Sequence, residues 1–172
     1  MINSMKQLLI HQLKDLYDGE HQLLEALPTM IKQATNKRLI EVLEEHYEET
    51  QTQVMRLEEI FDHLSEEPER KTCQAMKGLI TEANQAIKEA GYKTTRDLSI
   101  VAQGLRIEYY EMAGYFVAVR LADSMEYDEV YDLLNETLDE EENAADSLEN
   151  FLETSFFNTI QESLGGEDNT LV

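Results

Sequence analysis

Residues 43–61 read LEEHYEETQTQVMRLEEIF, and the spacing of their apolar side chains predicts an α-helix with polar residues in the middle of its apolar face. Positions that advance by three or four residues share one face of an α-helix. On this face the two ends are apolar and the middle is polar; its members are Leu39, Val42, His46, Glu49, Gln53, Leu57, Ile60 and Leu64. Because burying an unpaired carboxylate is costly, the polar middle needs a partner, a proton or a metal ion.

The composition describes a strongly acidic globular chain. Its 172 residues are enough to bury a core, and 42% of them are hydrophobic while 29% are charged. The charges are unbalanced, because 14 Lys and Arg stand against 36 Asp and Glu and give a formal net charge of −22. Nucleic acids and anionic membranes are bound through positive charge, so neither is expected as a partner.

The cysteine count and the hydropathy pattern predict the compartment. The single cysteine, Cys73, allows neither an intrachain disulfide nor a thiolate metal cage, which fits a reducing environment. The segment MINSMKQLLIHQLKDL at 1–16 has no uninterrupted apolar run of signal-peptide length. No window approaches the roughly 18 apolar residues of a membrane span. We therefore expect a cytoplasmic protein.

Helical periodicity dominates the chain, which only two prolines and seven glycines interrupt. The pattern predicts four long helices, at about 4–34, 37–64, 96–124 and 127–164, and a short one at about 72–90. The predicted fold is all-α, a ferritin-like four-helix bundle with the short helix in the crossover between the second and third long helices. Residues 1–164 are expected to form a single domain, and GGEDNTLV at 165–172 a disordered tail.

The two halves of the chain resemble each other and indicate an internal repeat. VMRLEEIF at 54–61 aligns with AADSLENFL at 144–152. At the same offset, Glu111 stands 91 residues after Glu20, and Glu140 stands 91 residues after Glu49. Each long helix thus carries one glutamate in its apolar stripe, and these four carboxylates are expected to face one another.

Four inward carboxylates would repel one another in a core, and two divalent cations would neutralise them. Carboxylates and imidazole suit iron, manganese and zinc, and an oxygen-rich site favours iron or manganese, with zinc a further candidate in the isolated protein. His46 precedes Glu49 by three residues, as Glu108 precedes Glu111, so both join the set. The candidate metal ligands are Glu20, His46, Glu49, Glu108, Glu111 and Glu140.

Two alternatives stay open at this point. Glu141 and Glu142 directly follow Glu140, and a small error in the helix boundary would rotate either of them inward. The glutamates could also form a metal-free network of protonated or hydrogen-bonded carboxylates with His46, Gln53 and nearby tyrosines.

The ordered set of motifs resembles the YciE/YciF stress-protein family of ferritin-like bacterial proteins. The similar stretches are LYDGEHQLLEALP at 16–28, HYEETQTQVMRLEEIF at 46–61, CQAMKGLITEAN at 73–84, EYYEMAGYFVAVRLA at 108–122 and LLNETLDEEENAADSL at 133–148. Together they cover roughly residues 5–155. The resemblance implies a four-helix ferritin-like bundle with an extra helix, often dimeric, in a family linked to bacterial stress responses.

The chain departs from the standard di-iron pattern, which has Glu-x-x-His on the second and fourth helices. At that spacing Thr52 follows Glu49 and Asn143 follows Glu140, so neither position supplies a histidine. The predicted ligand set therefore contains more carboxylates than the standard one. The main functional hypothesis is a dimetal-carboxylate protein of iron or manganese that handles peroxide or oxygen under stress. The alternative is a metal-free helical stress protein that acts through homodimerisation or protein partners.

Overall fold

The computed structural model describes residues 2–165, with side chains through Thr154, and these residues form five α-helices and no strand. The helices are α1 (Met5–Gln33), α2 (Lys37–Leu64), α3 (Gln74–Glu89), α4 (Lys93–Ser124) and α5 (Asp128–Gly165). The all-α prediction and its five helices are confirmed, with each end within about three residues of the expected one. Residues 166–172, most of the predicted tail, lie outside the described part of the chain.

Capping side chains explain where the first two helices begin and end. The Ser4 hydroxyl accepts a hydrogen bond from the Gln7 amide at the start of α1, and Asn36 accepts from the Arg38 amide at the start of α2. At the other end of α2, Ser65 adopts the left-handed conformation with φ 56°. The short connection at residues 34–36 therefore places α1 beside α2.

The four long helices contact one another in a closed ring. α1 packs against α2 and α4, and α5 packs against the same two helices from the opposite side of the ring. α3, which connects α2 to α4, packs against α1 and α4. In the described residues no helix combines the length and the apolar character that crossing a membrane requires.

The apolar core is divided into two clusters along the helices. The first includes Leu13, Leu16, Leu57, Phe61 and Leu134. The second includes Leu23, Leu27, Leu43, Ile107 and Leu148. On each long helix, buried polar side chains lie between the residues of one cluster and those of the other. The fold thus carries a polar section through the middle of its core.

Hydrogen bonds to two aspartates hold the segment before α3 in place. Asp18 of α1 accepts from the backbone amide of Cys73 at 2.8 Å and from Arg70 Nε at 3.0 Å. The buried thiol of Cys73 lies 3.0 Å from the hydroxyl of Tyr110 and 3.3 Å from Oδ2 of Asp15. The crossover therefore reaches α1 and α4 through polar contacts as well as through apolar packing.

Candidate metal centre

The polar section of the core contains a compact group of acidic side chains and one histidine. His46 of α2, Glu108 and Glu111 of α4, and Glu141 of α5 each offer one ligand atom, and these four atoms all lie within 4.8 Å of one another. Glu20 of α1 is fully buried beside them, and its charge acts on those of Glu108, Glu111 and Glu141. We call these five residues the acidic layer.

Helical spacing brings the acidic layer together. Glu108 and Glu111 are three residues apart on α4, so both face the same side of that helix. On α5, the buried positions Leu134, Leu138, Glu141, Ala145 and Leu148 advance by alternating steps of four and three residues. Glu141 therefore occupies the inward position that continues an apolar stripe, as Glu20 does between Leu16 and Leu23 on α1.

Neighbouring side chains orient part of the acidic layer. The hydroxyl of the fully buried Tyr115 donates to Oε1 of Glu20 at 2.5 Å. Gln53 Nε2 donates to Oε1 of Glu141 at 2.6 Å. His46 Nε2 lies 3.5 Å from Oε1 of Glu108. These contacts involve Oε1 of Glu20, Glu141 and Glu108, and the Oε2 atoms of the same three carboxylates have no hydrogen-bond partner in the described chain.

Most of the remaining buried polar atoms in the layer have no protein partner. Among the residues that the structure describes, the buried atoms without a hydrogen-bond partner include Glu20 Oε2, Glu108 Oε2, Glu141 Oε2, both carboxylate oxygens of Glu111 and both ring nitrogens of His46. Such atoms are rare in folded proteins because each one costs free energy. Their concentration at one place leaves donor atoms that could hold a metal ion or share protons with one another.

Burial dominates the protonation behaviour of this site. Loss of solvation and the neighbouring carboxylates raise the pKa values of Glu20, Glu108 and Glu111 well above the ordinary value. Burial raises the pKa of Glu141 to about 7 as well, although the neighbouring Glu108 carboxyl and the hydrogen bond from Gln53 oppose the shift. Burial lowers the pKa of His46 to about 4, so its imidazole is neutral at pH 7 and can donate a nitrogen lone pair.

The donor set fits a divalent transition-metal ion. It consists of carboxylate oxygens and a neutral imidazole, which suit iron, manganese and zinc. Four atoms bound to one ion at about 2.1 Å in a tetrahedral site lie about 3.4 Å apart, so these ligand atoms, now within 4.8 Å of one another, would have to move closer by up to about 1.4 Å. Glu20, with its unpartnered Oε2, adds a fifth donor that a second ion would need.

A second acidic group, one turn away along α2 and α5, has its own cation. The guanidinium of the buried Arg56 donates to both carboxylate oxygens of Glu140, at 2.8 and 2.9 Å. It also donates to Glu136 Oε1 at 2.9 Å and to Thr137 Oγ1 at 2.7 Å. We call these four residues the Arg56 cluster. Burial lowers the pKa of Arg56, but the Glu140 and Glu136 carboxylates raise it on balance, which keeps the side chain charged.

Glu49 occupies the rim of the site rather than its centre. Its side chain is 35% exposed, and Oε2 lies 4.0 Å from Nδ1 of His46. Together with Glu45 and His46 it lines a surface cavity of about 80 Å³, which Asn143 and Ser147 of α5 close on the other side. We call this cavity the α2–α5 pocket.

The structure brings four of the six sequence-predicted ligands into the acidic layer, namely Glu20, His46, Glu108 and Glu111. Glu49 lies at the rim, and Glu140 points to Arg56, so the inward position of α5 belongs to Glu141 instead. Glu141 was one of the alternatives left open, and the step of seven residues back from Leu148 is the signal that selects it. Arg56 was missed, because an arginine in a charged helix reads as a surface residue.

The fold and the site together define an all-helical protein with a buried carboxylate–histidine centre, and comparison with known proteins gives its family. Residues 4–162 match the family described as a domain of unknown function, DUF892. Over 141 residues the chain is 34% identical to protein YciF of Escherichia coli K12, a match that spans 81% of this chain and 85% of that protein. The chain belongs to this YciF-like family, as its sequence motifs predict.

Two solved structures are similar over most of their length. The crystal structure of the E. coli stress protein YciF has a TM-score of 0.86 and 31% identity, and the match covers 90% of this chain and 98% of that one. YcfI from Rhodopseudomonas palustris, described as a candidate structural protein, has a TM-score of 0.84 and 40% identity, with 86% and 94% coverage. The chain is therefore a member of a stress-protein family whose helical fold it shares.

Proposed function

We propose that this protein is a ferritin-like metal-carboxylate protein of the bacterial stress response, whose acidic layer binds divalent iron or manganese. The observation that carries the proposal is the concentration of unpartnered carboxylate oxygens and imidazole nitrogens inside the core. The closed ring of α1, α2, α5 and α4, with α3 in the crossover, supports the four-helix ferritin-like architecture in which such sites occur.

Charge balance supports two ions per chain. Glu20, Glu108, Glu111 and Glu141 would carry four negative charges when ionised, and two divalent ions would neutralise them. A single ion would leave two carboxylates without compensation, unless they stayed protonated as their raised pKa values allow. The protein would then act as a dimetal centre, with His46 as its nitrogen donor.

The chemistry proposed for the site is the reduction of peroxide or oxygen. Iron or manganese, when bound, would supply the redox change that this chemistry needs. The chain's own contribution is to hold the carboxylates in a water-poor core and to fix Glu20 through the Tyr115 hydroxyl. Gln53 fixes Glu141 in the same way.

The decisive experiment is elemental analysis of the untagged full chain, purified without chelator and counted per chain. We expect about two iron or manganese ions, in line with the charge balance. Glu111→Gln should lose at least half of the metal, whereas Glu142→Gln, an equal charge change at an exposed site on α5, should keep it. A chain that carries no metal and takes up neither iron nor manganese would contradict the proposal.

A second candidate function, assembly through a homodimer or a protein partner, is favoured by one surface. Tyr109, Phe116 and Val117 are exposed on α4 at spacings that put them on one face of that helix. Exposed apolar side chains grouped in this way are typical of interaction sites. Phe116→Glu should convert a dimer into a monomer in analytical ultracentrifugation, while Met55→Glu, at an exposed methionine of α2, should not. A wild-type chain that is monomeric at high concentration would contradict self-assembly.

A further inference from the structure

We propose that divalent metal ions reach the acidic layer through the α2–α5 pocket, and that Glu49 binds them in transit before His46 and Glu108 take them over. This inference rests on the proposed metal-binding function and concerns how the site is filled. It separates Glu49 from the resident ligands and assigns it a role on the access route.

The apolar clusters make the routes from either end of the core costly. On α1, Leu16 and Leu23 lie on either side of Glu20, and all three side chains are almost completely buried. A hydrated cation that passed through either cluster would lose its water without gaining a ligand, which is strongly unfavourable. An ion therefore needs a path along polar side chains that begins at the surface.

The imidazole of His46 provides the connection between that surface and the layer. Its Nδ1 faces Oε2 of Glu49 at 4.0 Å, and its Nε2 faces Oε1 of Glu108 at 3.5 Å. Both nitrogens are buried and lack a hydrogen-bond partner within the described chain. The ring therefore lies between Glu49 of the α2–α5 pocket and the carboxylates of the acidic layer, with one nitrogen toward each.

The charges of the pocket favour the capture of a cation. Glu49 and Glu45 line its α2 side, and the α5 side carries the uncharged Asn143 and Ser147. A concave site of one charge sign concentrates ions of the opposite sign and accelerates their association. Because Glu49 is 35% exposed, it can bind an ion that still keeps part of its water shell.

The test measures the rate of metal uptake and the final state separately. The metal-free full chain is mixed with Co²⁺ in a stopped-flow instrument, and the visible absorbance of the bound ion is followed. Glu49→Gln should slow uptake about tenfold, since it removes the charge that captures the ion. The final stoichiometry and the final spectrum should equal those of the wild type.

Two further variants separate charge from access. Glu48→Gln makes the same charge change at the exposed neighbouring position, outside the pocket lining, and should leave the rate unchanged. Asn143→Phe narrows the cavity of about 80 Å³ from the α5 side without changing charge, and should also slow uptake. Slowing by Glu49→Gln and Asn143→Phe but not by Glu48→Gln supports the route.

Three results would overturn the inference, and they differ from one another. An unchanged uptake rate in Glu49→Gln would exclude the route through the pocket. A lower stoichiometry or an altered final spectrum would make Glu49 a resident ligand and leave the proposed function intact. A wild-type chain that binds neither Co²⁺ nor any other divalent ion would remove the proposed function itself.

Discussion

The acidic layer and the Arg56 cluster lie next to each other on α2 and α5, yet their carboxylates differ in whether a protein cation compensates their charge. In the Arg56 cluster a guanidinium donates four hydrogen bonds to two carboxylates and a hydroxyl. In the acidic layer four buried carboxylates face one histidine, which burial keeps neutral at pH 7. The carboxylates of the Arg56 cluster are neutralised by a cation of the protein, whereas those of the acidic layer require protons or an external cation.

This difference shows that adjacent residues of one helix can have unrelated roles. Glu140 and Glu141 are neighbours, and a helical step of about 100° separates their directions. Glu140 turns to Arg56 near the surface, with its side chain 23% exposed, whereas Glu141 turns into the core. We therefore expect a negative charge to stabilise the fold at the first position and to destabilise the metal-free fold at the second.

Removal of Arg56 should have the largest effect on stability. Arg56→Met leaves Glu140 and Glu136 without their cation, and we expect the free energy of unfolding to fall by about 2–4 kcal/mol. Urea denaturation of the metal-free protein measures it. Arg38→Met, on an exposed position of the same helix, serves as control and should change stability by less than about 0.5 kcal/mol. Equal effects would show that the Arg56 cluster contributes no more than a surface residue.

Neutralisation of the two adjacent glutamates should change stability with opposite signs. In the metal-free protein at about pH 8, Glu141→Gln should stabilise the fold by on the order of 1–3 kcal/mol, because it removes a buried charge and keeps the bond from Gln53. Glu140→Gln should destabilise it by about 1–2 kcal/mol, because Arg56 loses its charged acceptor. The same denaturation experiment measures both, and equal signs would refute the contrast between the two groups.

Stability should fall with rising pH when no metal is bound. The pKa of Glu141 is raised from 4.5 to about 7, so its favourable contribution is complete below the lower value and is lost as pH rises through the higher one. His46, with its pKa lowered from 6.5 to about 4, acts in the opposite direction, but its contribution is already complete above its unfolded value. Between about pH 6.5 and 8 the unfolding free energy should decrease by at least about 1 kcal/mol, because Glu20, Glu108 and Glu111, whose pKa values are also raised, act in the same direction as Glu141.

Glu141→Gln is the control for that pH dependence, because it removes one of the buried carboxyls whose pKa values are raised. Its stability curve should be flatter than that of the wild type. Added manganese should reverse the wild-type trend, since metal binding favours ionised carboxylates and strengthens as pH rises. A wild-type curve that rises from neutral to alkaline pH without metal would contradict the assignment of buried acids.

The smallest effect is expected within the Arg56 cluster itself. Glu136 bonds to Arg56 at 2.9 Å, but its side chain is 62% exposed. Glu136→Gln should therefore change stability by less than about 0.5 kcal/mol, because water screens exposed ion pairs. Thermal unfolding followed by circular dichroism measures the change, with Glu140→Gln as the comparison. It tests whether burial, rather than bond length, determines how much each carboxylate contributes to stability.

The sequence predicts the helices well because apolar periodicity and caps are local signals. The repeat of 91 residues also identifies a real register, since Glu20 and Glu111 are both buried in the layer. Most of the predicted α2 face is buried as expected, but Leu43 and Thr50 take the inward positions given to Val42 and Glu49, and on α5 Glu141 takes that of Glu140. Leu43, His46, Thr50, Gln53 and Leu57 face the core, so the repeat partner of Glu141 is Thr50 and not another glutamate.

That error has a physical origin in the composition of the two helices. Glutamates occupy positions 140–142, so a glutamate would face the core even if the predicted rotation of α5 were wrong by one or two residues. Only the distance to the apolar anchors Leu134 and Leu148 distinguishes them. The choice of Arg56 as partner for Glu140 depends on packing between α2 and α5, which no local pattern encodes.

The position of Cys73 makes it a probe of local opening in this protein. It is the only thiol of the chain, it caps the start of α3, and it is enclosed between Tyr110 and Asp15. Burial raises its pKa, so few molecules expose a reactive thiolate at any moment. The rate at which a thiol reagent modifies the native chain therefore reports how often the crossover helix detaches from α1 and α4. The protein thus contains its own probe of local opening.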